Sequence, residues 1–368
     1  MHFNGFHEIF QTIQVSALFM DINLNGAEPP FEEVYKDLFL NQKHIHQPVG
    51  QTTAVESKDL PLVDLGQLLS KNKDDIEKCK REIAEASKEW GFFQVINHGI
   101  PREILEEMTK EQKKVFNEPF KKKIRDKCMN MCLTKGTYRW GTPSAKCLTQ
   151  LSWSEAFHIP LTDVSTCQTH HLTTNHLGST VKQFATTVSE LAQKLANILA
   201  ENLGNTSNKE GTRVIKEICL PSTCYLRMNR YPPCPKYYDV FGLMPHTDSD
   251  FITILYQDQV GGLQLVKDGK WIQVMPNPHA LIVNIGDLLQ AWSNGVYKSV
   301  EHRVVANKKV ERLSIAYFLC PSYDAIIQSC KEPSIYKKFS FREYRQQVQL
   351  DVSTLGYKIG LPHFLICN

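Results

Sequence analysis

The sequence predicts an α+β fold, with a strand-rich core of jelly-roll or barrel type, flanking helices and a helical N-terminal region. Two observations carry that prediction. From about Thr223 to Tyr323 the chain is a succession of short β-branched and aromatic runs broken by turn residues. On either side, apolar residues recur at three- and four-residue spacing, the period of an amphipathic helix. With 368 residues and 42% hydrophobic content, the chain can bury a sizeable core as one large domain or two intimate ones.

Taken in order, Met1 to Phe19 has scattered apolar residues but no basic segment leading into an apolar run, so it does not read as a signal peptide. Pro30 to Phe39 reads as an acidic helix, and Asn41 to Glu56 as a mobile polar stretch. Leu60 to Leu65 is a short strand. Asp74 can cap a helix whose stripe is Ile76, Cys79, Ile83, Ala86 and Trp90, ended by Gly91. Phe92 to Ile96 reads as a buried strand, and His98 as a turn residue. Pro101 opens a helix with Ile104, Leu105, Met108, Val115 and Phe116 inward. Lys121 to Arg125 reads as a solvated basic face. Gly136 to Pro160 reads as a long loop and Asp163 to Gly178 as a surface loop. Phe184, Val188, Leu191, Leu195, Ile198 and Leu199 form the stripe of a long helix stopped by Gly204.

In the strand-rich part, Lys267-Asp268-Gly269-Lys270 is a turn between Gly262–Val266 and Trp271–Val274. His279 to Ile285 is the next strand, stopped by Gly286. Phe341, Tyr344, Val348, Val352 and Leu355 form a C-terminal helix stripe before Gly356.

The formal charge of +3 gives no footprint for nucleic acid, and no apolar run approaches membrane-spanning length. The eleven cysteines complete no zinc spacing, although Cys128 and Cys132, and Cys219 and Cys224, are close in sequence. Their odd number and the missing secretory signal favour reduced thiols in the cytoplasm, with the nucleus also open. The sequon at Asn205-Thr206-Ser207 is therefore read as a loop sequence without a sugar.

The chemistry concentrates in His246-Thr247-Asp248, His302 and the pair Arg312 and Ser314. On a strand, His246 and Asp248 project from one face. Tyr297 to Val305 is a second strand-like run carrying His302. Two imidazoles and a carboxylate make the facial triad of a non-haem Fe(II) oxygenase. A His-x-Asp alone recurs by chance. Its weight here comes from the ordered set on strand-like segments and from Arg312 and Ser314, which share a face of the run Leu313–Leu319 and suit a small dicarboxylate. Tyr138, Arg139, Trp140 and Trp153 mix aromatic and polar groups in a loop-like segment that suits a binding wall as well as it suits ordinary packing. His158 in that segment is surplus to the triad.

Asn229-Arg230-Tyr231-Pro232-Pro233-Cys234, His246-x-Asp248, His302 and Arg312-x-Ser314 together resemble the plant 2-oxoglutarate and Fe(II)-dependent dioxygenases, as does Trp90–Gly99. The likeness spans Leu60 to Pro362. It implies a double-stranded β-helix core, with 1–59 an N-terminal extension and helix, 60–218 an N-terminal region, 219–325 the jelly-roll core and 326–368 a C-terminal helical region. Within that family the chain is similar to the gibberellin 2-beta-dioxygenases, in particular the group acting on twenty-carbon gibberellins. Tyr138–Pro143, Leu151–His158 and Gly242–Asp250 carry that likeness. Gibberellin 20-oxidases have Leu-Pro-Trp-Lys-Glu-Thr where this chain has Leu151-Ser152-Trp153-Ser154-Glu155-Ala156. Most members start near the position of Met20, so Met1 to Phe19 reads as dispensable. The resemblance implies that His246, Asp248 and His302 hold Fe(II). It implies that Arg312, Ser314, Tyr231 and Asn229 hold 2-oxoglutarate, with O2 as co-substrate and ascorbate in support. Tyr138, Arg139, Trp140 and Trp153 would face a gibberellin. A related dioxygenase for a flavonoid or another plant hormone, and a non-catalytic metal- or hormone-binding protein of the same fold, are the competing expectations. Oligomeric state is not legible.

Overall fold

The computed structural model describes residues 25–42, 55–124, 137–143, 145–166, 176–203, 218–219, 222–234 and 240–366. The expectations for Met1 to Phe19, Arg125, Cys128, Cys132, Gly204 and the sequon, and most of the polar stretch after Asn41, lie outside the described residues.

In chain order the strands are β1 (Glu56–Lys58), β2 (Leu62–Asp64), β3 (Phe92–Ile96), β4 (Tyr138–Trp140), β5 (Glu155–Pro160), β6 (Tyr225–Tyr231), β7 (Phe241–His246), β8 (Ile252–Gln257), β9 (Leu263–Lys267), β10 (Lys270–Val274), β11 (Leu281–Ile285), β12 (His302–Val305), β13 (Arg312–Leu319), β14 (Ile326–Ile327) and β15 (Phe339–Ser340). One sheet runs β1-β10-β9-β12-β7 and the other β2-β3-β11-β8-β13-β6-β5-β4; β14 and β15 pair separately. The non-sequential neighbours are the crossovers of a jelly roll. Phe92, Tyr231 and Ile282 of the larger sheet and Leu263, Leu265, Ile272, Val274 and Val304 of the smaller form one buried cluster, so the two sheets pack face to face.

The helices are α1 (Phe31–Val34), α2 (Lys36–Gln42), α3 (Lys73–Glu89), α4 (Arg102–Phe116), α5 (Phe120–Lys123), α6 (Leu161–Thr166), α7 (His176–Asn202), α8 (Asp287–Trp292) and α9 (Phe341–Leu355). The outer face of the larger sheet buries Phe93, Phe157, Leu226, Met228, Ile254, Val283, Ile315 and Tyr317 in one core with the stripes of α3, α4 and α7. The α7 stripe reads as expected, with Phe184, Val188, Leu195 and Leu199 nearly inaccessible.

Several expectations change. Asn72, not Asp74, caps α3: its backbone is extended and its side chain accepts the N–H of Asp74. Gly136 to Pro160 is not one loop, since β4 and β5 add two strands to the sheet. The expected loop from Asp163 begins inside α6, and α7 already starts at His176. In the basic run, Lys121 and Lys122 are exposed but Lys123 is fully buried against Glu155. The second strand-like run is strand only from His302; before it, the backbone N–H groups of Lys298 and Ser299 donate to the Ser87 carbonyl and Gln290 Oε1 instead of a ladder. In α9, Phe341 and Tyr344 of the stripe are buried but Leu355 is exposed, and Asp351 is buried with them. Its carboxylate accepts the N–H groups of Ile359 and Gly360 and folds the C-terminal segment back onto the body. The turn at Asp268-Gly269 has positive φ at both residues, 52° and 74°, as a tight hairpin requires.

Candidate active site

β7 ends at His246, and β12 begins at His302, directly opposite it in the ladder. Asp248 is not on the strand. It lies in the loop between β7 and β8, and side-chain hydrogen bonds rather than strand alternation aim it. Its Oδ2 accepts from Thr253 Oγ1 at 2.6 Å and from Asn284 Nδ2 at 2.6 Å. That leaves Oδ1 turned to the imidazoles, 3.6 Å from His246 Nε2 and 3.8 Å from His302 Nε2.

Each histidine is fixed from behind. His246 Nδ1 sits 2.7 Å from the Met244 carbonyl and His302 Nδ1 3.1 Å from that of Val300. A carbonyl only accepts, so each Nδ1 carries a proton and each Nε2 is turned to the centre. Burial, and then the neighbouring His302, push His246 down to about 3, so the ring is neutral at ordinary pH. Burial opposes the charge of Asp248, but the two imidazoles and the Thr253 hydroxyl outweigh it and hold the carboxyl below its usual range. Neutral imidazoles and an ionised carboxylate are the states a metal needs. The three donor atoms lie within 4.8 Å of one another.

The ligand loop is tied on its far side by groups the sequence did not signal. Lys358 donates to the Thr247 carbonyl at 2.8 Å and Ser249 Oγ at 2.9 Å, and lies 2.7 Å from Asp287 Oδ2. Gly286 is required by close approach, because a Cβ there would stand 2.2 Å from the Asp250 carbonyl. Thr253 and Asn284 could have been found as polar residues inside otherwise apolar runs. Lys358 could not, since it is brought in from over a hundred positions away in sequence.

Arg312 opens β13, 1% exposed. Its Nη2 donates to Gln257 Oε1 at 2.6 Å, and its guanidinium lies over the Tyr231 ring. Its Nε and Nη1 have no partner among the described residues. A buried cation with two unmet donors is a site waiting for an anion. Ser314 and Asn229 are opposite each other in the ladder, as are Arg312 and Tyr231. The four expected co-substrate residues therefore share one sheet face. The cross-strand pairs Asn284–Thr253 and Thr253–Phe318 extend that face to the anchors of Asp248. The residues present fit both groups: Fe(II) at the three donors and a small dicarboxylate reaching Arg312.

The four expected substrate residues are not brought together. Arg139 pairs across from Ala156 on the inner face, whereas Tyr138 and Trp140 alternate to the other side. The Tyr138 hydroxyl contacts Glu155. Trp153 is 5% exposed and stacks on Phe31 at 4.5 Å. Its N–H in the backbone donates to the Phe241 carbonyl, at the end of β7 remote from His246. Trp140 and Trp153 serve as the seat of α1 and α2. The expectation read them as a wall because alternation was invisible in a segment taken for a loop.

A second group, Glu107, Glu111 and His176, also brings three ligand-type atoms together. Its carboxylates are already paired with Lys110 and Lys114 on the same helix.

Comparison with known proteins agrees with this geometry. The family model of the 2OG-Fe(II) oxygenase superfamily matches residues 222–321, and that of the "non-haem dioxygenase in morphine synthesis N-terminal" region matches residues 60–176. The chain is 56% identical to gibberellin 2-beta-dioxygenase 8 of Arabidopsis thaliana, covering 92% of this chain and 98% of that one. It is 47% identical to gibberellin 2-beta-dioxygenase 6 of Oryza sativa subsp. japonica, covering 92% and 96%. Among solved structures, JOX2 in complex with 2OG, Fe and JA is similar at a TM-score of 0.69 and 27% identity, covering 93% of this chain and 100% of that one.

Proposed function

We infer, from the premise that this chain belongs to the 2OG-Fe(II) oxygenase superfamily, that it is a gibberellin 2-beta-dioxygenase, hydroxylating gibberellins at C-2 and so inactivating them. The relatives support the substrate. The observation that carries the chemistry is the convergence of three metal-donor atoms, the two histidines from the smaller sheet, beside the inner face of the larger sheet, where Asp248 is anchored and a buried guanidinium keeps two unmet donors. His246, Asp248 and His302 would hold Fe(II), which supplies the coupling of 2-oxoglutarate decarboxylation by O2 to C–H hydroxylation, with release of succinate and CO2. Arg312 and Ser314, with Tyr231 and Asn229 beside them, would take the far carboxylate of 2-oxoglutarate. Asn284 and Thr253 hold Asp248 Oδ2 and keep Oδ1 for the metal. The likeness of Tyr138–Pro143, Leu151–His158 and Gly242–Asp250 to the group acting on twenty-carbon gibberellins makes those the substrates we assign, with ascorbate supporting turnover.

His246→Ala or Asp248→Ala should abolish both stoichiometric Fe(II) binding and gibberellin-dependent succinate release, while circular dichroism stays native. Normal succinate release by either variant would overturn the triad. A panel of gibberellins with product mass and position of hydroxylation tests the substrate.

A further inference from the structure

The inner face of the larger sheet can be followed in rows, because residues opposite each other in the ladder project to the same side. The first row runs from Asn284 and Thr253, the anchors of Asp248, through Phe318 to Tyr225. The second runs through Leu255, Ala316 and Arg227 to His158. The third runs from Gln257 through Ser314, Asn229 and Ala156 to Arg139. The metal and 2-oxoglutarate residues account for the β11, β8 and β13 side of this grid. The β6, β5 and β4 side is left over, and it holds a specific set of groups. Phe318 and Tyr225 stack at 4.4 Å, and the His158 ring stands 4.1 Å from that of Tyr225. Leu255, Phe318, Tyr225, Arg227 and His158 are all only half-buried, so this part of the face is not filled by the core.

Three cations border that apolar floor. Arg227 is directly opposite His158 and Arg139 enters from β4; Arg345, on α9, is near enough for its charge to act on His158. His158 registers all three: burial first, then Arg227, Arg139 and Arg345, push it down to about 3. Tyr225 lies across Phe318 from Thr253, the anchor of Asp248. The aromatic floor thus runs from the anchors of Asp248 at one end toward Arg227 and Arg139 at the other. The Arg227 Nε–H donates to Asn229 Oδ1 at 2.8 Å, a neutral acceptor, and Arg227 has no ion pair among the described residues.

We propose that Arg139, Arg227 and Arg345 form the subsite that binds the carboxylate of the substrate, while Tyr225, Phe318 and Leu255 carry its apolar ring system beside the iron site. The identity of the carboxylic acid rests on the gibberellin reading above; the anion subsite itself rests on the grid. A gibberellin is a rigid, apolar, fused-ring acid. A flat aromatic floor with a cationic border matches that chemistry, and the border fixes which end of the acid is turned away from the metal.

The test uses the full chain with Fe(II) and 2-oxoglutarate, comparing a gibberellin free acid with its methyl ester. Arg139→Gln and Arg345→Gln, both at exposed positions, should each raise KM for the free acid about tenfold, the scale of one lost charge-assisted contact. KM for 2-oxoglutarate should stay unchanged. The ester should bind weakly to the wild type and show no further loss in the variants. Arg227→Lys should retain more of the free-acid affinity than Arg227→Gln. Equal losses for acid and ester, or no change in KM for the acid, would overturn the subsite. If the wild type hydroxylates no gibberellin at all, the function reading fails instead; a screen of other apolar carboxylic acids against their esters, with succinate release as readout, then decides the subsite by the same acid-over-ester preference.

Discussion

Two buried arginines, one residue apart along neighbouring strands, have opposite fates. Arg230 is opposite Leu313 in the ladder and Tyr231 is opposite Arg312. Alternation sends Arg230 to the outer side and Arg312 to the inner. Arg230 Nε donates to Glu311 at 2.8 Å, Nη1 to Glu155 at 2.8 Å and Nη2 to Glu28. Glu155 is in turn held by fully buried Lys123 at 2.6 Å and by Tyr138. Burial works against both charges of the Lys123–Glu155 pair, lowering Lys123 and raising Glu155, and the network of partners offsets it in part. Arg312 has only a neutral amide and a ring face, with two N–H groups unmet. One arginine ties the N-terminal segment to the sheet. The other keeps two donors unmet, the state that the proposed 2-oxoglutarate site would complete. Residue type and burial do not separate a structural charge from a functional one, whereas the count of satisfied donors does.

That contrast can be broken most sharply at the structural end. Glu155→Gln or Arg230→Met strips a buried network of one partner and should cost about 3–5 kcal/mol in urea unfolding. Arg312→Met removes a charge with no hydrogen-bonded counter-ion among the described residues, Asp258 acting on it only through space, and should leave the stability of the ligand-free protein within about 1 kcal/mol of wild type, or above it. Similar losses in both would erase the distinction.

The next effect is kinetic. Arg312→Lys keeps a charge but loses the planar fork, so KM for 2-oxoglutarate should rise about ten- to a hundredfold, on the order of 1.5–3 kcal/mol, with KM for gibberellin little changed. A rise confined to gibberellin would move the co-substrate elsewhere. Completion of the site should also be visible thermally. At a hundredfold excess over Kd, 2-oxoglutarate with the metal should add about 2.7 kcal/mol to wild-type stability and raise Tm, and Arg312→Met should not respond.

A pH-dependent effect is expected at His158. Its folded-state value near 3 lies below the ordinary value for a free histidine. The native protein therefore binds fewer protons than the unfolded chain, and stability falls as pH drops from about 6.5 toward 3. Thermal melts of His158→Gln across that window should show a flatter slope than wild type; identical slopes would mean that His158 is not held neutral by burial and its arginine neighbours.

The sequence by itself determined what depends on local pattern. Period and turn residues gave the jelly-roll strands, the α3, α4 and α7 stripes and the Asp268-Gly269 hairpin. Residue types in order gave His246, Asp248, His302, Arg312 and Ser314, because metal and dicarboxylate chemistry restrict which side chains can serve. Tertiary structure alone decided how Asp248 is aimed, since the hydrogen bonds of Thr253 and Asn284 replace the strand alternation that His-x-Asp implies. It also decided that Lys123 is buried and that Trp153 seats an N-terminal helix. Of the expected wall, only Arg139 remains on the inner face, joined by Tyr225, Arg227 and His158. Which face a short strand turns to a ligand depends on its register with neighbours, and that register is a long-range pairing that no local window contains.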